Sequence, residues 1–189
     1  MGIPLKIKAS NLNDYLEVMS KAVFQSGLSW ASIDKRWLAI VEAFKNFDPK
    51  GVAKLSEEDI GHLLDNPSLL LNEKKIKATI HNAKVLIELE AEYGGIAKYL
   101  RAFKDYSQLS ADLKARFSYL GDVNIYYFLF RVGEPVPPFA SWIKTVKGEH
   151  PRIKEMTELA AKAKADHDGG DALDFRRFKG KSQSKPRMD

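Results

Sequence analysis

Few residues in this chain are of types that do covalent chemistry, and their spacing narrows the field quickly. There is no Cys, which excludes disulfides, cysteine-ligated zinc and a thiol nucleophile. His62, His81, His150 and His167 are scattered without metal-ligand spacing such as H-x-x-x-H. Neither a Gly-rich nucleotide loop nor a G-x-S-x-G elbow occurs. What remains are residues suited to binding. Gln25-Ser26-Gly27-Leu28-Ser29-Trp30 sets a polar amide and an electron-rich indole on either side of a glycine turn. Phe117-Ser118-Tyr119-Leu120-Gly121 is a tight turn that opens a helix at Asp122. Such a start directs the free amides of Asp122, Val123 and Asn124 outward. With the positive end of the helix dipole they form a phosphate site, and Gly121 lets backbone approach the ligand closely. The Asp122 carboxylate is also placed to cap those same amides. Lys74-Lys75-x-Lys77 offers further phosphate contacts at a helix start, or simply a solvated face.

The elements that must position these residues are helical, because helical spacing recurs along the chain and no convincing alternating pattern does. Leu12, Tyr15, Leu16, Met19 and Val23 share one face of a helix entered at Ser10 or Asn11 and stopped by Gly27. A second helix spans about 32–46, until Asp48-Pro49 breaks it. Ser56 and Asp59 form a capping box for a short helix to about Asp65. Asn72 caps the longest helix, about 73–93, which Gly94-Gly95 ends, and a shorter helix runs on through Phe103. The hairpin pairs a helix over 110–116 with one over 122–132. Gly133-Glu134-Pro135-Val136-Pro137-Pro138 is a rigid connector, and helices over about 139–146 and 151–165 follow. The expected fold is all-α with roughly nine helices. A domain over 1–174 precedes a basic tail over 175–189 without regular structure.

Taken together, these segments resemble the 3-methyladenine DNA glycosylase I family, within the helix–hairpin–helix DNA glycosylase superfamily. The resemblance rests on Gln25 through Trp30, Phe47-Asp48-Pro49 with Val52-Ala53, and Glu57-Glu58-Asp59. It continues through Lys75-Ile76, Ile80, Asn82 and Ala83, then Phe117-x-Tyr119-Leu120-Gly121 with Tyr126, Phe128 and Gly133. These keep the family's order and near-identical spacing from about Tyr15 to Gly133. The resemblance implies two helical lobes with a base-binding cleft between them, duplex DNA as partner, and extrusion of an alkylated base into an aromatic pocket. Trp30, Gln25 and Tyr126 would form that pocket, Trp30 stacking on the cationic base. Gly121, Asp122, Val123, Asn124, Lys74 and Lys75 would meet the DNA backbone. Read from its residue type alone, Trp30 is a core aromatic near a helix start before it is a pocket residue.

Two departures bear on activity. Ala22 stands where the family carries a base-reading Glu, and the family's Cys and His zinc ligands have no counterpart, so no metal and no cofactor is expected. Glu134 is the one carboxylate in the connector, either a substitute catalytic acid or an exposed loop acid. Glu17, on the helix of Ala22, is turned away from it.

The net charge of +5 is unevenly held. Arg176, Arg177, Lys179, Lys181, Lys185 and Arg187 face Asp189 alone within 175–189, which accounts for all of it, so the body is neutral. A basic tail attracts phosphate without reading sequence, or serves solubility alone. No run of apolar residues suffices to span a bilayer, and Met1-Gly2-Ile3-Pro4-Leu5-Lys6 lacks the apolar stretch of a secretory signal. A cytoplasmic monomer is expected. Three functions are open: a monofunctional glycosylase for alkylated DNA, a DNA-binding protein that has lost excision, and a helical module that binds protein.

Overall fold

The computed structural model describes residues 7–27, 30–146 and 153, and every regular element among them is helical. In order these are α1 (Leu12–Gln25), α2 (Trp30–Ala43), α3 (Pro49–Val52), α4 (Glu57–Asp65), α5 (Glu73–Tyr93), α6 (Ile96–Leu100), α7 (Tyr106–Arg116), α8 (Asp122–Arg131) and α9 (Phe139–Trp142). Single 3-10 turns cover Lys45–Phe47 and Ile143–Thr145.

Capping side chains set most of the starts. Asn11 accepts from the Asp14 amide while the Asp14 carboxylate accepts from the amides of Ser10 and Asn11, which closes a capping box on α1. Ser56 and Asp59 close a second on α4, and Asn72 caps α5 through the Lys75 amide. α5 then ends at Gly94, whose φ of +64° is the left-handed conformation that suits glycine.

Several boundaries differ from the sequence expectation. α2 begins at Trp30 and stops at Ala43, short of Asn46, because Lys45, Asn46 and Phe47 turn left-handed (φ +55°, +55°, +52°). That turn lays Phe47 flat on Trp37 and Phe44, each with ring centroids 5.5 Å away. Asp48-Pro49, read as a break, also opens α3: proline suits the first helical position, and the Asp48 carboxylate accepts from the Gly51 amide at 2.8 Å. α6 ends at Leu100, short of Phe103. α7 starts at Tyr106, four residues before the expected Ser110, since Asp105 accepts from the Gln108 amide. The helix expected over 151–165 and the tail over 175–189 lie outside the described residues, residue 153 apart.

The apolar residues of α1 to α9 join in one contiguous core. α1 packs against both α5 and α8, α3 packs on α5, and α7 on α8. The long α5 is therefore the strut against which both the α1–α2 turn and the α7–α8 hairpin are set.

Candidate nucleic-acid interface

The α7–α8 hairpin is held from below by α5. Phe117 and Leu120 are buried anchors, while Tyr119 between them has φ +59° and stands exposed. The Ser118 amide donates to Asn82 Oδ1 at 2.7 Å, and Asn82 Nδ2 donates back to the Ser118 carbonyl at 3.0 Å. Asn82 is itself buried, so the reciprocal pair fixes the turn where water cannot compete. His81 donates from its ring to the Arg116 carbonyl at 3.0 Å, and Asn124 Nδ2 donates to the Tyr119 carbonyl at 2.9 Å.

Gly121 caps α8 in an extended conformation with no side-chain cap. The helical ladder begins with Ile125 N donating to Gly121 O at 2.9 Å. The amides of Asp122, Val123 and Asn124 thus have no acceptor among the described residues. Asp122 does not cap them: its carboxylate is drawn to Lys114 Nζ on α7, at 3.2 and 3.3 Å. The side chains of Val123 and Asn124 are buried, so these positions present backbone alone. Three outward amides at the positive end of a helix suit an anion such as a phosphate.

At the other end of the strut, α1 closes with Gln25, which is buried, and turns at Gly27 with φ +76°. The backbone of Trp30 opens α2; its side chain lies outside the described residues, as do Leu28 and Ser29. Lys75, a candidate phosphate contact, donates from Nζ to the carbonyls of Phe24, at 3.1 Å, and Ser26, because unmet carbonyls at a helix C-terminus attract a cation. Lys77 is committed to Glu73 and Glu57. Lys74 is exposed and forms no ion pair among the described residues.

Tyr126 is packed among aromatic rings on the hairpin side. Its ring stacks on Trp142 with centroids 4.0 Å apart and is enclosed by Tyr106 and Phe139. Its hydroxyl donates to the Pro137 carbonyl at 2.9 Å, and burial raises its pKa. The surrounding residues come from α7, α9 and the connector, so the structure gives Tyr126 a packing environment within the hairpin side of the molecule. Trp142 went unremarked in the sequence; Phe139-x-x-Trp142 after Pro138 was the available signal.

Glu134 is not an exposed loop acid. Gly133, with φ +79°, folds the chain inward so that Glu134 N donates to Leu129 O at 2.9 Å. The carboxylate then accepts from Arg101 Nε and Nη2 at 3.2 and 2.9 Å. Its side chain is 3% exposed against 68% for Arg101. The nearby Tyr15 hydroxyl is pushed up first by burial and then by the Glu134 charge. Tyr15 belongs to the opening of α1, whereas Ala22 and Gln25 close it, roughly 10–15 Å further along the axis at 1.5 Å per residue. Ala22 is fully buried, and Glu17 accepts from Trp37 Nε1 at 2.9 Å.

Among the cavities bounded by described residues, two border these elements. One of about 610 Å³ separates α7 and the start of α8 from α9, with Ser110, Lys114, Asp122 and Trp142 in its wall. The other, of about 540 Å³, adjoins the α1–α2 turn and is lined by Gly27, Leu64, Leu70, Leu71, Asn72 and Lys75 among others. Neither is lined by Gln25 or Tyr126. Among the described residues no group of three His, Asp or Glu could hold a metal, and no helix is long and apolar enough to cross a membrane.

A family model described as methyladenine glycosylase matches residues 7–116. The DNA-3-methyladenine glycosylase of Haemophilus influenzae is 30% identical over 89 residues, 47% of this chain and 48% of that protein. DNA-3-methyladenine glycosylase 1 of Escherichia coli is 35% identical over 66 residues, 35% of each chain. This chain thus spans about half the length of the first relative and a third of the second. Among solved structures, 3-methyladenine DNA glycosylase I from Staphylococcus aureus superposes with a TM-score of 0.60 at 27% identity, over 69% of this chain and 79% of that one. A variant of 3-methyladenine DNA glycosylase I in complex with 3-methyladenine gives 0.58 at 29% identity, over 70% and 80%.

Proposed function

This chain belongs to the methyladenine glycosylase family, and from that premise we propose that it binds duplex DNA, extrudes an alkylated base and releases it by N-glycosidic hydrolysis. The observation that carries the reading is the spacing along α5. Lys75 and Asn82 lie two turns apart on one face of that helix. Lys75 holds the end of α1 and the approach to the Gly27 turn; Asn82 holds the hairpin turn. The two turns are thereby set about 10 Å apart along the strut, comparable to a rise of about three base pairs along a duplex axis at about 3.4 Å each. A strand held by the hairpin amides would pass the α1–α2 turn a few nucleotides away.

The chemistry then asks little of the protein. An alkylated purine is cationic, so it leaves readily with the electron pair of the bond to C1′. A water oxygen bonds to C1′ and gives up its proton to solvent. The contribution of this chain is to hold the strand, exclude the base from the stack and offer the Trp30 ring to its positive face. Ala22 offers no carboxylate, and Glu134 is committed to Arg101, so the reading confines excision to bases that already carry charge. One copy of the chain would act on one lesion, in the cytoplasm, without metal.

The test is release of 3-methyladenine and 7-methylguanine from methylated duplex DNA, by the wild type and by Trp30→Ala. Release by the wild type and a tenfold or greater loss in the variant are expected. Salt-sensitive duplex binding without any release would leave a DNA-binding protein and overturn the excision step.

A further inference from the structure

No step of base release calls on the cavity between the hairpin and α9, and its walls are of two kinds. Trp142 and Tyr106 form an apolar back, made rigid by Tyr126, which stacks on Trp142 at 4.0 Å and meets Tyr106 edge-on. The rim is polar. Ser141 and Thr145 donate to the carbonyls of Pro138 and Trp142, at 2.8 and 2.7 Å, which leaves their oxygens as acceptors. Lys114 and Asp122 add one charge of each sign, paired at 3.2 Å and both more than half exposed. The Tyr106 hydroxyl, buried in the wall beside Ser110 and Trp142, completes a hydrogen bond with neither. Buried polar atoms are nearly always satisfied, so this one marks a place suited to the polar edge of an occupant.

Position decides what that occupant is. Asp122 both lines the cavity and opens α8, so the cavity mouth adjoins the amides of Asp122, Val123 and Asn124. A strand whose phosphate rests on those amides carries its next nucleotide past that mouth. At about 610 Å³ the cavity falls within the range of roughly 300–1,000 Å³ found for small-molecule sites, room for a base and its sugar. A paired base is held in its stack and stays outside. An unpaired base is free to turn in, where an aromatic back suits its ring and acceptors suit its amino groups. The far wall, Pro137 to Val146, lies beyond the residues 7–116 that the family model matches, so the family match does not account for it.

We propose that this cavity is a nucleotide subsite: an unpaired nucleotide next to the phosphate on the α8 amides enters it, so that the protein prefers duplex DNA at a junction with single strand. This rests on the reading of the molecule as a duplex-binding glycosylase. The occupant belongs to the bound strand, because linkage to the held phosphate keeps the base at high effective concentration at the mouth. That phosphate also gives Lys114 a second anion beside Asp122, which complements the only cation in the described wall.

The experiment compares binding of the full chain to a blunt duplex and to the same duplex with a short single-stranded overhang on either strand. The first unpaired position carries 2-aminopurine. Wild type should prefer one of the overhang duplexes by tenfold or more and change the 2-aminopurine fluorescence on binding. Ala111→Phe fills the cavity from α7, and Ser107→Leu does so one turn earlier; both positions are exposed, so melting temperatures should match wild type. Each variant should lower the preference to within twofold and abolish the fluorescence change, with blunt-duplex affinity unchanged. Full preference in both folded variants would overturn the subsite. So would equal affinity of wild type for blunt and overhang duplexes, which leaves duplex binding intact. Absence of binding to any of these duplexes would overturn the DNA-binding reading as well. Tighter binding of deoxyadenosine monophosphate alone than of the overhang would assign the cavity to a free nucleotide instead.

Discussion

At the scale of single residues, Glu134 shows how burial and chemistry come apart. A carboxylate in a proline-rich connector invites assignment as a catalytic acid, yet both its oxygens are taken by one guanidinium and its neighbour is the opening of α1. An acid fixed in this way holds the connector to the end of α6. Because Arg101 is largely exposed, solvent screens the pair and its contribution is well below that of a fully enclosed one. Removing the arginine, however, leaves a buried carboxylate with no cation. Arg101→Ala is expected to lower unfolding free energy by about 1–3 kcal/mol in urea titration. Glu134→Gln, which can still accept a hydrogen bond from Arg101, should cost less. Base release should persist in Glu134→Gln; its abolition in a folded variant would return Glu134 to the list of catalytic groups. The sequence could not show this, since Arg101 and Glu134 meet only through the packing of α6 against the hairpin exit.

Among the elements, α5 does most to convert sequence into site geometry. Its limits, Asn72 cap to Gly94, are readable from capping and glycine chemistry alone, and they agree with the structure residue for residue. The polar positions on its inward face carry the functional consequence. Asn82→Ala removes both bonds to Ser118 and leaves that residue's amide and carbonyl unpaired, which is expected to cost about 1–3 kcal/mol. The Ser118 amide should exchange faster with deuterium, and duplex affinity should fall although no hairpin residue has changed. Unaltered affinity with accelerated exchange would mean that the hairpin does not need α5 to meet DNA. Element existence was legible wherever a capping residue and an apolar period coincide, as in α1, α4, α5 and α8. It failed where tertiary packing decides: the stack of Phe47 on Trp37 and Phe44 turns the chain left-handed just where helical spacing would have continued α2.

For the molecule as a whole, the site was legible only in part, for a physical reason. The hairpin amides could be read directly, because a glycine turn before a helix produces free donors in any context. The expected pocket could not, since Gln25 and Tyr126 are brought together by resemblance and the fold sets Tyr126 among Tyr106, Phe139 and Trp142. Long-range attraction to DNA is a separate matter and belongs to net charge. The body is neutral, and Lys74, which forms no ion pair among the described residues, is a small lever. Residues 175–189 carry the whole net charge of +5. Each phosphate neutralised steepens the dependence of log affinity on log salt by about 0.9. Deleting residues 175–189 should therefore flatten that dependence by up to about 5 and weaken binding most at low salt. Base release from methylated duplex should survive, because the hairpin and the α1–α2 turn remain. A salt slope unchanged by the deletion would place the electrostatic contact on the folded body, with Lys74 and Lys114 the first cations to replace.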